Sequence, residues 1–180
     1  MQSHPIRAPT PILVNIYKVI QMKILNVNYG LNDVDFDRIF LQWNDTNRPF
    51  PIDKTIHQLF EEQVEKTPEN IALVFGSESL TYRQLNQRAN QLAVHLRREY
   101  KAKTAKDLQP NTLIALRLER SLEMVISVLA VLKAGGAYVP IEPGYPQDRM
   151  NFILDDIDAQ VILTQKHLVE ALPSQVQYVI

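Results

Sequence analysis

Between Met124 and Arg149 the chain leaves itself few folds to choose from. An almost wholly apolar run, Met124–Leu132 (MVISVLAVL), leads into LKAGGAYVPIEPGYPQDR, Leu132–Arg149. A run that is apolar on every side predicts a helix buried all round. Gly135 stands where a helix C-terminus takes a left-handed residue, and Lys133 suits the negative end of the dipole. Ala137–Ile141 is short and apolar enough for a buried strand. Pro140, Pro143 and Pro146 then turn the chain, and Pro146 can open the next helix from its first position. Helix, stop, strand, turn, helix is the repeating unit of a parallel sheet.

The same alternation extends on both sides. Thr55 with Gln58 fits a capping box, and Ile56, Leu59, Phe60 and Val64 mark the buried face of a helix that Pro68 stops. Ile71–Phe75 reads as a strand, turned by Gly76–Ser79. Thr81 with Gln84 is a second capping box, opening a helix that turns Leu85, Ala89, Leu92 and Leu96 inward. Tyr100–Asn111 reads as a polar, lysine-containing loop. Ile114–Leu118 is the next strand, and Ser121 caps the apolar helix Leu122–Lys133. Strand Ala137–Ile141, helix Pro146–Asp156, strand Val161–Thr164, a short helix near Lys166–Leu172 and strand Val176–Ile180 complete the series. The fold class expected is α/β, with alternating strands and helices in a mainly parallel sheet and short apolar strands buried on both sides. At least three of the strands should share one sheet, and Leu122–Lys133 should be the most buried helix.

Upstream the pattern is different. Asp33–Trp43 can form a short helix with Phe36, Ile39, Phe40 and Trp43 on one face. Asn44–Asp53 carries two prolines and several turn formers and reads as a linker. In Ile12–Val27, the residues Leu13, Ile16, Ile20, Ile24 and Val27 make one stripe at helical period. Asn15, Lys18, Gln21, Lys23 and Asn26 interrupt that segment, so it cannot span a bilayer or serve as a secretory signal. Three segments follow: a leader over 1–30, a linker-like stretch over 31–53 and an α/β part over 54–180.

Composition narrows the chemistry. With 180 residues the chain can bury about two-thirds of its unfolded surface, enough for a core. A net charge of -1 offers no basic field to nucleic acid or an anionic membrane. The sequence has no cysteine, which excludes disulfides, thiolate catalysis and zinc–thiolate sites and suits a cytoplasmic location. No GxxxxGK[ST] or GxGxxG phosphate loop is present. Gly135–Gly136 follows a helix instead of preceding one, so the nearby dipole end has the wrong sign for an anion, and a structural cap and turn is the better reading. His4, His57, His95 and His167 are scattered without a second ligand at metal spacing. Asp155, Asp156 and Asp158 lack the glycine turn and bidentate glutamate of a calcium loop and read as a solvated helix end. Glu61, Glu62 and Glu65 form an exposed face beside Lys66. No serine or threonine sits on a nucleophile elbow. The residues alone therefore nominate no catalytic, cofactor-binding or metal-binding side chain.

Five segments, taken together and in order, change that result. Leu80–Leu85 (LTYRQL), with Asn86 and Ala89–Leu92, resembles the first core motif of amino-acid-activating adenylation domains, L-T-Y-x-E-L-N-x-x-A-N-x-L-A. Gln84 replaces the usual glutamate there and keeps its capping role. Leu118–Ser121 (LERS) resembles the stretch before the family's apolar helix. Leu132–Arg149 resembles the second core motif, with Glu142 where aspartate is commoner. Phe40–Thr46 (FLQWNDT) and Ile56–Phe60 (IHQLF) are similar to the segment joining a condensation domain to an adenylation domain. The family is that of nonribosomal peptide synthetases, within the AMP-dependent synthetases and ligases, and the resemblance covers about Asp33–Ile180. Acyl- and aryl-activating ligases share the fold, but the AYVP and YP elements favour the amino-acid branch.

The resemblance implies an incomplete N-terminal subdomain of the AMP-forming ligase fold. It implies an intact domain that uses ATP and Mg to make an aminoacyl-AMP and loads the amino acid onto a phosphopantetheine thiol, in secondary-metabolite biosynthesis. Its partners would be the remainder of the adenylation domain, condensation and carrier domains, and an amino acid. The family's phosphate loop, specificity pocket, ribose-binding aspartate and catalytic lysine have no position in these residues, so the chain alone is expected to be inactive, to bind no cofactor and to be only marginally stable. A non-catalytic module that docks onto a separately encoded synthetase portion is the alternative. A flavodoxin-like receiver domain is disfavoured, because no acidic pair follows the first strand and no aspartate ends a central one.

Overall fold

A computed structural model describes residues 32–46, 48–173 and 177–179. The leader stripe over 12–27, His4, Val176 and Ile180 lie outside the described residues. The chain separates into two compact units, Met1–Pro51 and Ile52–Ile180.

In the first unit Asn32 caps a helix over Asp33–Phe36, its Oδ1 accepting the Asp35 N–H at 2.8 Å. The winding then widens to a π-helix over Asp37–Gln42, and the Trp43 N–H reaches back five residues to Arg38 O at 2.9 Å. Phe36 is buried and stacks on Phe40 with centroids 4.7 Å apart. Trp43 does not join them and is 68% exposed. The sequence placed it on the shared face by α-helical period. A ladder closing at five turns less per residue and carries Trp43 off that stripe.

The second unit begins with helix α1 (Ile56–Lys66), then a hairpin of β1 (Ile71–Phe75) and β2 (Glu78–Thr81). There follow α2 (Tyr82–Thr104), β3 (Leu113–Arg117), α3 (Leu122–Ala134), β4 (Ala137–Pro140), α4 (Gln147–Asp156) and β5 (Val161–Thr164). A 3-10 turn over Lys166–Ala171 leads toward β6 (Gln177–Val179). Both capping boxes form: the Thr55 N–H donates to Gln58 Oε1 at 2.8 Å, and the Thr81 N–H to Gln84 Oε1 at 3.0 Å. Ser121 Oγ accepts the Met124 N–H at 3.3 Å.

Strands β4, β3, β5 and β6 make one parallel sheet in that order, so four of the predicted strands share it. Successive residues of β3 and β5 face opposite sides. Ile114, Leu116, Val161 and Leu163 pack against Ala93 and Leu96 of α2 and Ala130 and Val131 of α3. Ala115 and Ile162 pack on the other side against Met150 and Leu154 of α4. The sheet is therefore covered on both faces. Helix α3 buries seven side chains, more than α1, α2 or α4, in keeping with its all-round apolar sequence.

Several finer expectations are corrected. Helix α2 runs on through Thr104 instead of yielding to a loop at Tyr100. Lys101 and Lys103 are good helix formers and favour its negative end, and Ala105 closes it in the left-handed region. Pro146 caps α4 and does not occupy its first turn. Ile56 and Leu59 are exposed, 70% and 39%, because α1 meets the core mainly through Phe60. Strand β1 is not buried on both sides. A bulge between Ile71 and Leu73 turns Ala72 and Leu73 inward together and leaves Ile71, Val74 and Phe75 at least half exposed.

Candidate functional site

The order β4-β3-β5-β6 contains a topological switch. From β3 the chain crosses through α3 to β4 on one side, then returns through α4 to β5 on the other. In open α/β sheets such a point, outside the carboxyl ends of the diverging strands, is where a crevice forms. Beyond the ends of β3 and β5 a cleft of about 390 Å³ is lined by Leu92 and Arg88 of α2, Leu118, Glu123, Ile126 and Ser127 of α3, and Leu163–Lys166.

Side-chain ties hold this edge in place. Gln165 bridges the loop that joins β3 to α3: its Oε1 accepts the Glu119 N–H at 2.9 Å, and its Nε2 donates to Ser121 Oγ at 3.4 Å. Thr164 Oγ1 donates to Arg117 O at 2.9 Å, fastening β5 to β3 where they diverge. Arg117 ends β3 with only 6% exposure. Its Nη1 donates to Leu168 O at 2.9 Å and its Nη2 to Pro143 O at 3.0 Å. One guanidinium thus clamps the turns that follow β4 and β5, a fork geometry that lysine could not supply.

The residues weighed from sequence go elsewhere. Gly135 has φ 93°, and its N–H donates to Leu132 O while the Gly136 N–H donates to Val131 O, the paired bonds of a Schellman motif. Arg97 adds its Nε to Ala134 O at 3.1 Å and its Nη2 to Lys133 O at 2.8 Å. The glycine pair is a helix stop, and an anion has no place among those carbonyls. His57, His95 and His167 lie on different elements, with nearest polar partners Thr55, Arg98 and Glu119. Asp158 turns the chain at φ 47° after α4, with Gln160 Nε2 on its Oδ1 at 2.8 Å. The glutamates of α1 are not one solvated face: Glu61 pairs with the nearly buried ammonium of Lys133, and Glu62 with Lys54 at 2.6 Å. Among the described residues no three acidic or histidine side chains could hold a metal ion. Arg117 and Gln165 escaped notice because their roles depend on long-range partners. The one local signal was an arginine inside an otherwise apolar strand.

This doubly wound core has known relatives. Residues 60–179 match the family described as AMP-binding enzyme. The chain belongs to that family. Gramicidin S synthase 2 of Brevibacillus brevis is 42% identical over 167 residues, which is 89% of this chain and 4% of the synthase. The solved nonribosomal peptide synthetase FmoA3 superposes over 77% of this chain and 14% of its own, at 29% identity and TM-score 0.67. The N-terminal subdomain of Klebsiella oxytoca NpsA is similar over 70% of this chain and 30% of its own, at 25% identity and TM-score 0.60. The fold is that of part of an adenylation-domain N-terminal subdomain, and the chain spans only a small fraction of these relatives. At the described carboxyl edge the Arg117 guanidinium is engaged by two carbonyls, and among the described residues no group of carboxylates could hold magnesium.

Proposed function

We propose that the chain builds the opening part of an amino-acid adenylation domain in a nonribosomal peptide synthetase. Residues 54–180 would be the domain segment and 31–53 the link to an upstream condensation domain. In the whole domain the amino acid's carboxylate attacks the α-phosphorus of ATP, the bond to pyrophosphate breaks, and a carrier's phosphopantetheine thiol then displaces AMP. The need for ATP and carrier domains places the enzyme in the cytoplasm. This segment's part in that work is scaffolding: a two-faced sheet whose carboxyl-edge turns are locked by Arg117, Thr164 and Gln165. The observation that carries the reading is the 42% identity to Gramicidin S synthase 2 across 89% of the chain.

Pyrophosphate exchange into ATP tests it. The 180-residue chain should give no amino-acid-dependent exchange, because donors to the phosphates and a cation at the developing charge must come from elsewhere. A chimera carrying residues 54–180 in place of the matching segment of Gramicidin S synthase 2 should exchange with its usual amino acid. Exchange by the chain alone, or a folded chimera without exchange, would overturn the proposal.

A further inference from the structure

The side chain of Lys133 is only 5% exposed, although it ends in an ammonium. It leaves the last turn of α3 and meets two groups of α1. One is the Glu61 carboxylate, and the other is the Phe60 ring, whose centroid lies 5.9 Å from Nζ. Glu61 keeps 44% exposure, so the carboxylate stays in water while the ammonium does not. Among the described residues, the other side-chain hydrogen bonds and ion pairs of α1 are local. Glu62 holds Lys54, Gln63 holds Thr67, and His57 and Gln58 hold Thr55. No residue of α1 is fully buried, and only its Phe60 packs against the cluster of Leu80, Leu85, Leu122, Ile126 and Leu129. The chain just beyond α1 is fastened differently. The Tyr82 and Arg83 N–H groups donate to Asn70 O and Pro68 O at 3.0 Å each, and Arg83 pairs with Glu69 at 2.6 Å.

We propose that α1 is a strap that docks and undocks as one piece while the parallel sheet stays folded, with Lys133 as its latch. A buried ammonium that loses its counter-charge is strongly unfavourable. Here both groups that meet the ammonium belong to α1, so lifting α1 returns Lys133 and Glu61 to water together. Neither α2 nor β3 has to unfold for that. The capping box lies within α1's own first turn, so the lifted helix still has its N-terminal donors met. The ties at Pro68 and Asn70 stop the motion there, which makes Thr67–Pro68 the pivot. The backbone of the latch stays behind, because Arg97 holds the carbonyls of Lys133 and Ala134. What keeps the strap closed at rest is Phe60, seated on the apolar cluster and 6.0 Å from the Tyr82 ring between centroids. Elements with few buried apolar contacts are the ones that open below the global transition. The inference goes beyond the adenylation reading and does not rest on it.

Amide hydrogen exchange of the 180-residue chain, followed by NMR under native conditions, tests it. The amides of residues 60–66 should exchange together, and faster than those of β3 and the middle of α2. Glu61→Gln leaves the ammonium buried without a counter-charge in the docked state alone. It should speed exchange over 60–66 by roughly tenfold or more and leave β3 within about twofold of its starting rate. Glu65→Gln removes an exposed carboxylate from the same helix and should change neither. Lys133→Met with Glu61→Leu removes both charges at similar volume and should restore protection over 60–66 to the starting level or above. Equal acceleration of α1 and β3, including loss of protection everywhere, would show that α1 opens only with the whole fold and would overturn the proposal. So would unchanged exchange in Glu61→Gln, an equal effect of Glu65→Gln, or a double variant no better protected than Glu61→Gln.

Discussion

Gly135 and Gly136 are adjacent but answer different demands. Gly135 takes φ 93°, which a side chain would strain. Gly136 has no such need. A Cβ there would stand 3.0 Å from Thr112 O and 3.3 Å from Val131 Cγ1. Thr112 O cannot retreat freely, because it accepts the Ala137 N–H at 2.8 Å and so starts β4 on β3. Gly144 has open space around its missing side chain. Gly136→Ala should therefore cost about 1–3 kcal/mol, and Gly144→Ala less than about 1 kcal/mol. Urea melts of the two variants decide it, and equal losses would show that closeness to β3 does not select the glycine. The sequence alone assigned both glycines to a helix stop. It could not show the approach to Thr112, just as it could not show Lys133 reaching Glu61, because such partners are set by packing and not by spacing.

At the scale of elements, the legible features were those whose cause is local. Thr55, Thr81 and Ser121 open their helices because a cap and its partner lie three residues apart. The short apolar strands β3, β4 and β5 stand within a residue of their expected limits. What escaped depends on neighbours: the last turn of α2, the bulge in β1, and the face that α1 presents. The last of these has a titratable consequence. Lys54, just before α1, holds Glu62 at 2.6 Å, and that hydrogen bond, more than the charges of Lys54 and Lys66, keeps the Glu62 carboxyl below its usual range. A carboxyl with a lowered folded pKa contributes stability above its unfolded value and loses it as pH falls through the folded one. The stability gap between the natural chain and Glu62→Gln should thus be present at neutral pH and close on acidification. Urea midpoints taken across the acid range measure this. A gap that ignores pH would mean the pair holds nothing.

For the molecule as a whole, the two-layered cover of the central sheet contrasts with the hairpin. Strands β3 and β5 have helices on both faces, whereas β1 has one face on α2 and α3 and the other open. Ile71 and Val74 are each 62% exposed and Phe75 is 50% exposed, on a strand paired along one side only among the described residues. Apolar side chains beside unpaired backbone groups make a template for another chain. Concentrated solutions of the chain should therefore self-associate through β1. Val74→Lys with Phe75→Lys should bring the light-scattering mass down toward the monomer. Because neither side chain belongs to a core cluster, the urea midpoint should stay within about 0.5 kcal/mol of the starting value. A fall in stability without a fall in mass would show that β1 supports the fold and that association occurs elsewhere. An unchanged mass with an unchanged midpoint would remove β1 from the association surface altogether.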